Sequence, residues 1–386
     1  MKLSAHPLWL VGFRPFFTLA CLSGLSLPIL WALIFTGTLP AAATSFSSTQ
    51  WHAHEMFFGF GWAVLGGFLL TSTKNWVNIR GYHGLALIFL VAAWLIERVG
   101  MWFAGVLPPL IFQLSNKLFL GSIVAMLVWT LVSHRKADSY RDNALFFLVL
   151  PLFLVSKHLM LSADLFAVGW SMAIGLFRMA FLIMLERTLT PFMKSAFQVD
   201  ILRQPLLDKS IKAVGLMLVF ESLVPAQVSC WINLLLALLL AGRFVFWKPQ
   251  LALRRLDIGI MYLGYLAIVA QLLLESARTL APFVAVGTVS VHVFTFGAMG
   301  LIIPAMLIRI ANGHTGRKVN FDARDKLVLW IMITAFICRI IAPQLDPAGY
   351  LRWIHISATC WFASFSLLGW RYIPYLMRAR VDGREH

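Results

Sequence analysis

Charged side chains are scarce in this sequence. Asp, Glu, Lys and Arg make up 12% of its 386 residues, whereas soluble globular domains carry roughly 25%. Hydrophobic residues reach 60% and aromatic residues 14%. The high hydrophobic fraction excludes an ordinary soluble domain. The aromatic fraction excludes a disordered chain, because disordered chains are poor in aromatic residues.

Cysteine and the common cofactor motifs are equally sparse. The cysteines, Cys21, Cys230, Cys338 and Cys360, are scattered and form no C-x-x-C or C-x-x-C-H motif. A disulfide framework, a zinc ribbon and covalent haem attachment are therefore unsupported. The pattern G-x-x-x-x-G-K-[ST] is absent from the sequence as well, so nothing indicates a nucleotide-binding loop.

Long apolar runs fill most of the chain and predict about twelve membrane crossings. They predict an all-α, polytopic transmembrane bundle forming a single integral membrane domain over 1–386. A polar loop after residue 186 allows a division into halves 1–190 and 205–386. The predicted crossings are 13–36, 55–73, 83–103, 109–132, 144–161, 165–186, 210–224, 229–247, 257–274, 281–308, 326–343 and 350–374.

The net charge of +16 has a different meaning in a membrane protein than in a soluble one. On a soluble protein it would suggest a nucleic-acid partner. Here most of the Lys and Arg residues fall in every second connector, which is the positive-inside pattern of cytoplasmic loops. The pattern predicts an even number of crossings and two cytoplasmic termini. Ala41, Ala42 and Ala43 resemble a signal-peptidase site, but the first apolar run is too long for a signal core.

The predicted topology sorts the ten histidines into two sets. An imidazole in hydrocarbon needs partners for its ring nitrogens, and it is also a common metal ligand and an axial ligand of haem iron. A lone membrane histidine more often bonds a neighbouring carbonyl. On the cytoplasmic side we expect His6, His83, His134, His314 and His386. On the opposite side we expect His52, His54, His158, His292 and His355.

The segment Trp51-His52-Ala53-His54-Glu55 leaves two arrangements open. Residues two apart on a helix point about 200° away from each other, so one helix does not easily send both imidazoles to one metal. In an extended segment the two rings would share a face and could bind the same ion. Alternatively, each histidine serves a different centre. The segment lacks the second histidine of the zinc-protease motif H-E-x-x-H.

Small residues and buried charges near these histidines also have two interpretations. Gly59, Ala63 and Gly67 recur every four residues, which suits close helix packing or the approach of a flat porphyrin. Arg178 lies within a predicted crossing and would pair with a haem propionate or with an acid such as Glu97. The segment 309–318 suits a helix-ending turn, and its cations also suit an anion or an anionic lipid.

Several motifs together resemble the NnrS family of bacterial membrane proteins. These are "GFRPFF", "WHAHEMFFGF", "GGFLLTSTKNW", "HVFTFGAMG", "IRIANGHTGR" and "RVDGRE", and the resemblance extends from about residue 7 to the C-terminus. It implies a polytopic inner-membrane protein that contains haem and copper and takes part in the response to nitric oxide, often beside denitrification genes.

The resemblance also implies which residues are functional. The matching histidines are His52, His54, His292, His355 and His314, and His158 is less sharply defined. His314 is predicted on the opposite side, so we exclude it from the metal site. Lys74 stands where the family has proline before "NW". The predicted haem (b-type) contacts are His52, His54, His292, His355 and Arg178, and the predicted metal ligands, copper included, are His52, His54, His158, His292 and His355.

Three functional hypotheses follow. The first is a haem–copper protein of the bacterial inner membrane that binds or detoxifies nitric oxide or a related nitrogen species, with turnover as an oxidoreductase left open. The second is a polytopic transporter of metal, haem or a nitrogen-containing solute. The third is a metalloprotein that protects other enzymes without catalysis. All three require the lipid bilayer, and none involves nucleic acid.

Overall fold

A computed structural model describes residues 3–40, 44–282 and 284–384 of the chain. The alanines at 41–43 and His386, which entered the expectations above, lie outside the described residues. Helices account for all regular secondary structure in the described ranges, and no strand occurs there. The prediction of an all-α chain is therefore confirmed.

Sixteen α-helices and two π-helices form the described chain. The π-helices are Glu55–Gly61, between α2 and α3, and Val293–Met299, between α12 and α13. The α-helices are α1 (Phe13–Phe35), α2 (Ser48–His54), α3 (Trp62–Val77), α4 (Leu85–Trp102), α5 (Pro109–Ser133), α6 (Phe146–Met160), α7 (Phe166–Phe197), α8 (Pro205–Met217), α9 (Ala226–Phe246), α10 (Pro249–Ala252), α11 (Leu256–Leu280), α12 (Val289–His292), α13 (Gly300–His314), α14 (Ala323–Ile340), α15 (Ala342–Leu345) and α16 (Tyr350–Leu376).

Within the described residues, 10 helical segments are long and apolar enough to cross a membrane. The chain is thus a multi-pass membrane protein, although the expected number of about twelve crossings is not reached. The predicted run 210–224 is broken, because Phe220 has non-helical backbone angles within a 3-10 turn that follows α8. Helix α16 has 27 residues and is long enough to cross a membrane. It is not among the 10 segments, because its Ser, Thr and His residues lower its mean hydropathy. The cytoplasmic placement of both termini stays a prediction.

The chain divides into two compact units that interleave along the sequence. Unit 1 comprises Met1–Phe166, Leu307–Asn320 and Trp361–His386, and unit 2 comprises Ala167–Met306 and Phe321–Cys360. The sequential halves 1–190 and 205–386 stay a prediction. The division assigns His52, His54 and His158 to unit 1.

Small residues set the helix packing inside each unit. In unit 1, a Cβ on Gly67 of α3 would lie 2.8 Å from the Phe16 Cβ of α1, so glycine allows these two helices to approach. In unit 2, a Cβ on Gly297 would lie 3.0 Å from the Phe336 ring of α14. The Gly59–Ala63–Gly67 stripe therefore packs protein at Gly67, and at Gly59, where a Cβ would collide with the Arg98 side chain.

The two π-helices interrupt membrane-spanning segments directly after a histidine. In unit 1 the π-helix Glu55–Gly61 follows His54, and in unit 2 the π-helix Val293–Met299 follows His292. A π-helix is rare, and its single-turn form inside an α-helix is frequent at functional sites. The two π-helices therefore follow two of the five histidines that belong to the sequence motifs.

Candidate functional site

His54 is held in one tautomer inside unit 1. It ends α2 and is fully buried. Its Nδ1 lies 3.2 Å from Glu55 Oε1, and its Nε2 lies 3.3 Å from the Asn116 side-chain nitrogen. A carboxylate accepts and an amide NH₂ donates, so the proton sits on Nδ1 and Nε2 is the acceptor. The imidazole is therefore neutral, with its Nε2 lone pair directed at Asn116.

Two carboxylates and two cations surround this imidazole. Arg98 Nη1 lies 2.9 Å from Glu55 Oε2, and Lys157 Nζ lies 2.7 Å from Glu97 Oε1. Arg98 also pairs with Glu97, and His54 Nε2 is 3.9 Å from Glu97 Oε1. We call this cluster the buried ion network; its members are His54, Glu55, Glu97, Arg98, Asn116 and Lys157.

The buried ion network contains equal numbers of positive and negative charges, and its side chains are almost completely buried. With a neutral imidazole, the charges of Glu55 and Glu97 cancel those of Arg98 and Lys157. Arg98 is the most accessible of the four, with a side chain 12% exposed. Burying four charges is costly even when they are paired, and ionisable groups in membrane helices are functional candidates for that reason. The network is therefore the strongest candidate site in unit 1.

His52 and His158 lie apart from this network in the described structure. His52 is half-buried and stacks on Trp31 of α1, with ring centroids 4.2 Å apart. Because α2 is helical, the extended arrangement of the two histidines is excluded, and His52 and His54 contact different neighbours. His158 on α6 is exposed, although the adjacent Lys157 points into the network.

His292 in unit 2 has hydrogen bonds of the same kind as His54. Its Nδ1 lies 2.8 Å from the Thr288 carbonyl oxygen, and its Nε2 lies 3.2 Å from Arg339 Nη2. A guanidinium can only donate, so Nε2 accepts and the ring proton is on Nδ1. Arg339 also lies over the ring of Tyr350, 5.8 Å from its centroid. Unit 2 thus holds a second neutral imidazole fixed from both sides.

The two histidines share a local sequence as well as a tautomer. Each is followed by phenylalanine at the fourth position and glycine at the fifth. The ring centroids of His54 and Phe58 are 5.5 Å apart, and those of His292 and Phe296 are 5.9 Å apart. Both pairs are tilted, and both lie where an α-helix passes into a π-helix. The surroundings of His54 in unit 1 and of His292 in unit 2 are therefore locally similar.

The remaining predicted residues of unit 2 have other surroundings. His355 is half-buried in the second turn of α16. Arg178 is fully buried, and its Nη1 donates to Gln271 Oε1 at 2.9 Å. Its Nε and Nη2 have no hydrogen-bond partner among the described residues. Glu97, one of its two expected partners, is instead paired with Lys157.

The hydrogen bonds of His54 and His292 can be compared with those of histidines that bind metals. An imidazole that donates Nδ1–H to a carboxylate or carbonyl and presents Nε2 has the arrangement of a metal-ligating histidine. His54 and His292 each have the Nδ1 hydrogen bond of such a ligand, but each Nε2 accepts a hydrogen bond, from Asn116 and from Arg339 respectively, which a bond to haem iron would have to replace. Within the described ranges, no group of three or more His, Cys, Asp or Glu residues is placed to hold a metal ion. Copper therefore stays a prediction.

Sequence reasoning did not identify most of the buried ion network. None of the sequence motifs points to Arg98, Asn116 or Lys157. The available signal was their position, because Glu97, Arg98 and Lys157 all interrupt apolar runs. Ionisable residues inside such runs need partners within the protein, but the runs alone do not say which residues pair.

The fold and these contacts define a class of protein, a multi-pass membrane protein with ionisable groups buried in its helices. Residues 7–380 match the family model described as NnrS protein, so the chain belongs to the NnrS family. The resemblance inferred from the motifs is thus confirmed over nearly the whole chain. Comparison with curated proteins gives no match.

Proposed function

We propose that this protein acts in the nitric oxide response of the bacterial inner membrane, where it binds nitric oxide or a related nitrogen species. Family membership supports the response. The observation that carries the site is the pair of motif histidines, His54 and His292, each fixed as a neutral imidazole at the start of a π-helix. Nitric oxide is small and uncharged, so it can reach buried groups through lipid.

In this proposal His54 would hold a b-type haem in unit 1, and His292 would hold one in unit 2. Haem iron, when bound, supplies the centre to which a diatomic molecule such as nitric oxide coordinates. The protein orients each imidazole through Nδ1, by the Glu55 carboxylate in one unit and by the Thr288 carbonyl in the other. The buried donors of Arg178 suit a haem propionate, because a guanidinium binds a carboxylate through two parallel N–H groups.

The buried ion network keeps His54 in its ligating form. Glu55 forms an ion pair with Arg98 at 2.9 Å, and this pair favours the carboxylate form that accepts the Nδ1 proton of His54. Copper is part of the proposal on family grounds only, with His52 and His158 as the remaining predicted imidazoles of unit 1 and His355 as that of unit 2. Turnover of nitric oxide as an oxidoreductase, and binding without turnover in protection of other enzymes, remain alternatives within this function.

Growth under nitric oxide tests the proposal. A strain without its own nitric oxide defence would express the wild type, His54→Gln, His292→Gln or the control His134→Gln, whose Nδ1 contacts a carbonyl of its own helix. We expect the wild type and the control to shorten the growth lag after a nitric oxide donor, and the first two variants to lose this protection. Equal lag in all strains, including one with an empty vector, would contradict the proposal.

Proton-linked transport is a second candidate, favoured by the buried ion network. Paired carboxylates and cations in membrane helices often mark ion or proton pathways. Under this candidate, Glu97→Gln abolishes uptake of a nitrogen-containing solute such as nitrite into proteoliposomes with a proton gradient. Uptake that is absent in the wild type, with protection against nitric oxide intact, would reject transport and leave the first function standing.

A further inference from the structure

Three distant motifs meet at the end of unit 1 where α1 begins. Arg14 of "GFRPFF" donates from Nη1 to the backbone carbonyls of Leu376 and Arg378, at 2.9 Å and 2.6 Å. Arg380 of "RVDGRE" donates from Nη1 to the carbonyl of His314 in "GHTGR", at 3.0 Å. The meeting point is therefore built from the start of α1, the end of α13 and the segment after α16.

Arg14 is the most buried cation of this group. Its side chain is 0% exposed, and only Nη1 has hydrogen-bond partners. Nε and Nη2 have none among the described residues. These two nitrogens share one edge of the guanidinium, where their N–H groups run parallel and match two oxygens of an oxyanion. A buried donor without an acceptor is costly, so an oxyanion that accepts from Nε and Nη2 of Arg14 would be favoured here.

The charge around Arg14 is positive. The charges of two other cations, Arg380 and Arg317, act on Arg14. Arg380 is matched by Asp382, with Nε 2.9 Å from Oδ1 and Nη2 2.6 Å from Oδ2. These bonds hold the pKa of Asp382 below its usual value, so it stays ionised and neutralises Arg380. The charges of Arg14 and Arg317 are not offset by that pair.

Arg317 is placed beside the same meeting point by aromatic and polar contacts. Its guanidinium lies 3.9 Å from the ring centroid of Tyr375, and its Nη1 donates to Thr315 Oγ1 at 2.8 Å. A stacked guanidinium keeps most of its donors available at its edges. The side chain is half-buried, so it is closer to solvent than the fully buried Arg14.

Gly316 fixes the backbone that carries Arg317. Its φ of +81° is in the left-handed region, and a Cβ there would lie 2.8 Å from Asp382 Cγ. Glycine is therefore needed both for the turn and for the close approach of the Arg380–Asp382 pair. The turn thus sets the position of Arg317 rigidly with respect to the segment after α16.

We propose that Arg14 and Arg317 bind a phosphate-class oxyanion at this end of unit 1. Arg14 contributes the buried bidentate edge, and Arg317 contributes a second charge nearer the surface. The distribution of Lys and Arg predicts this end to be cytoplasmic, where two sources share the required chemistry. One is free inorganic phosphate, and the other is the phosphate of an anionic lipid headgroup.

Two binding measurements on the full-length protein test the site and separate its sources. Phosphate-free protein in a neutral detergent is titrated with inorganic phosphate by calorimetry. The same protein in nanodiscs, with phosphatidylcholine alone or mixed with phosphatidylglycerol, is analysed by native mass spectrometry for retained lipid. The variants are Arg14→Lys, Arg317→Gln and the control Arg254→Lys, which changes an exposed arginine outside the group.

Arg14→Lys keeps the charge but removes the two-pronged edge, so we expect about tenfold weaker binding, as for one lost charge-assisted hydrogen bond. Arg317→Gln removes a less buried group and is the second variant should Arg14→Lys not fold. Loss in the calorimetric arm supports a free anion, and loss of retained phosphatidylglycerol supports a headgroup. The proposal is overturned when neither arm distinguishes the folded site variants from Arg254→Lys.

Discussion

Removal of one charge from the buried ion network gives the sharpest test of its energetics. Glu97 accepts from Lys157 at 2.7 Å, pairs with Arg98, and has a side chain that is 0% exposed. Glu97→Gln is nearly isosteric, so it leaves no cavity, but it leaves two cations facing the single carboxylate of Glu55. Breaking a buried pair in this way costs about 3–5 kcal/mol. We expect the free energy of unfolding to fall by that amount.

A double variant separates charge imbalance from lost hydrogen bonding. Glu97→Gln combined with Lys157→Met removes one charge of each sign and leaves Arg98 paired with Glu55 at 2.9 Å. We expect the double variant to be more stable than the sum of the single effects, with a coupling of about 1–3 kcal/mol. The assay is SDS-induced unfolding in mixed micelles, followed by tryptophan fluorescence.

An exposed ion pair supplies the matched control. Lys194 and Asp200 are 3.3 Å apart with side chains 66% and 71% exposed, so Asp200→Asn should change stability by less than about 1 kcal/mol. A Glu97→Gln protein as stable as the Asp200→Asn protein would refute the reasoning. Strict additivity in the double variant would show that Glu97 and Lys157 do not act as a pair.

Three further substitutions test helix packing and helix capping by thermal unfolding. Gly67→Ala places a Cβ 2.8 Å from Phe16 Cβ, so it should destabilise unit 1 by about 1–3 kcal/mol. The Cβ of Gly121→Ala meets no atom within 4 Å, so this control should stabilise α5 by up to about 1 kcal/mol. Equal effects of the two substitutions would contradict the described packing at Gly67. Asp322→Ala removes the cap at the start of α14 and should cost about 0.5–2 kcal/mol, and an unchanged midpoint would show that the cap is not needed.

Most of the helices could be predicted from hydropathy because lipid imposes a simple condition on each segment. A crossing must be long and apolar, and α5 and α9 meet that condition with little ambiguity. The run 210–224 also met it, yet the chain there turns at Phe220. Glu221 in that turn receives a hydrogen bond from Ser171 of α7, and such a long-range partner is not visible in a local window.

The site was only partly predictable, because ligand-type residues can be recognised singly but pairing cannot. The motifs include His54 and His292 among five histidines, and the sequence left open whether His52 and His54 bind one ion or serve different centres. The tautomers depend on Asn116 and Arg339, which lie far along the chain from their histidines. The sequence does not show that Arg339 contacts His292, because the pattern of a membrane run carries no information on which helix lies beside it.

The absorption spectrum of the purified protein tests the central claim most directly. We expect a haem Soret band and bound iron in the wild type and in the control His134→Gln. His54→Gln and His292→Gln should each lose or shift the band, because each removes an imidazole that is proposed to hold haem iron. A colourless wild type, or an identical spectrum and iron content in all four proteins, would contradict the account.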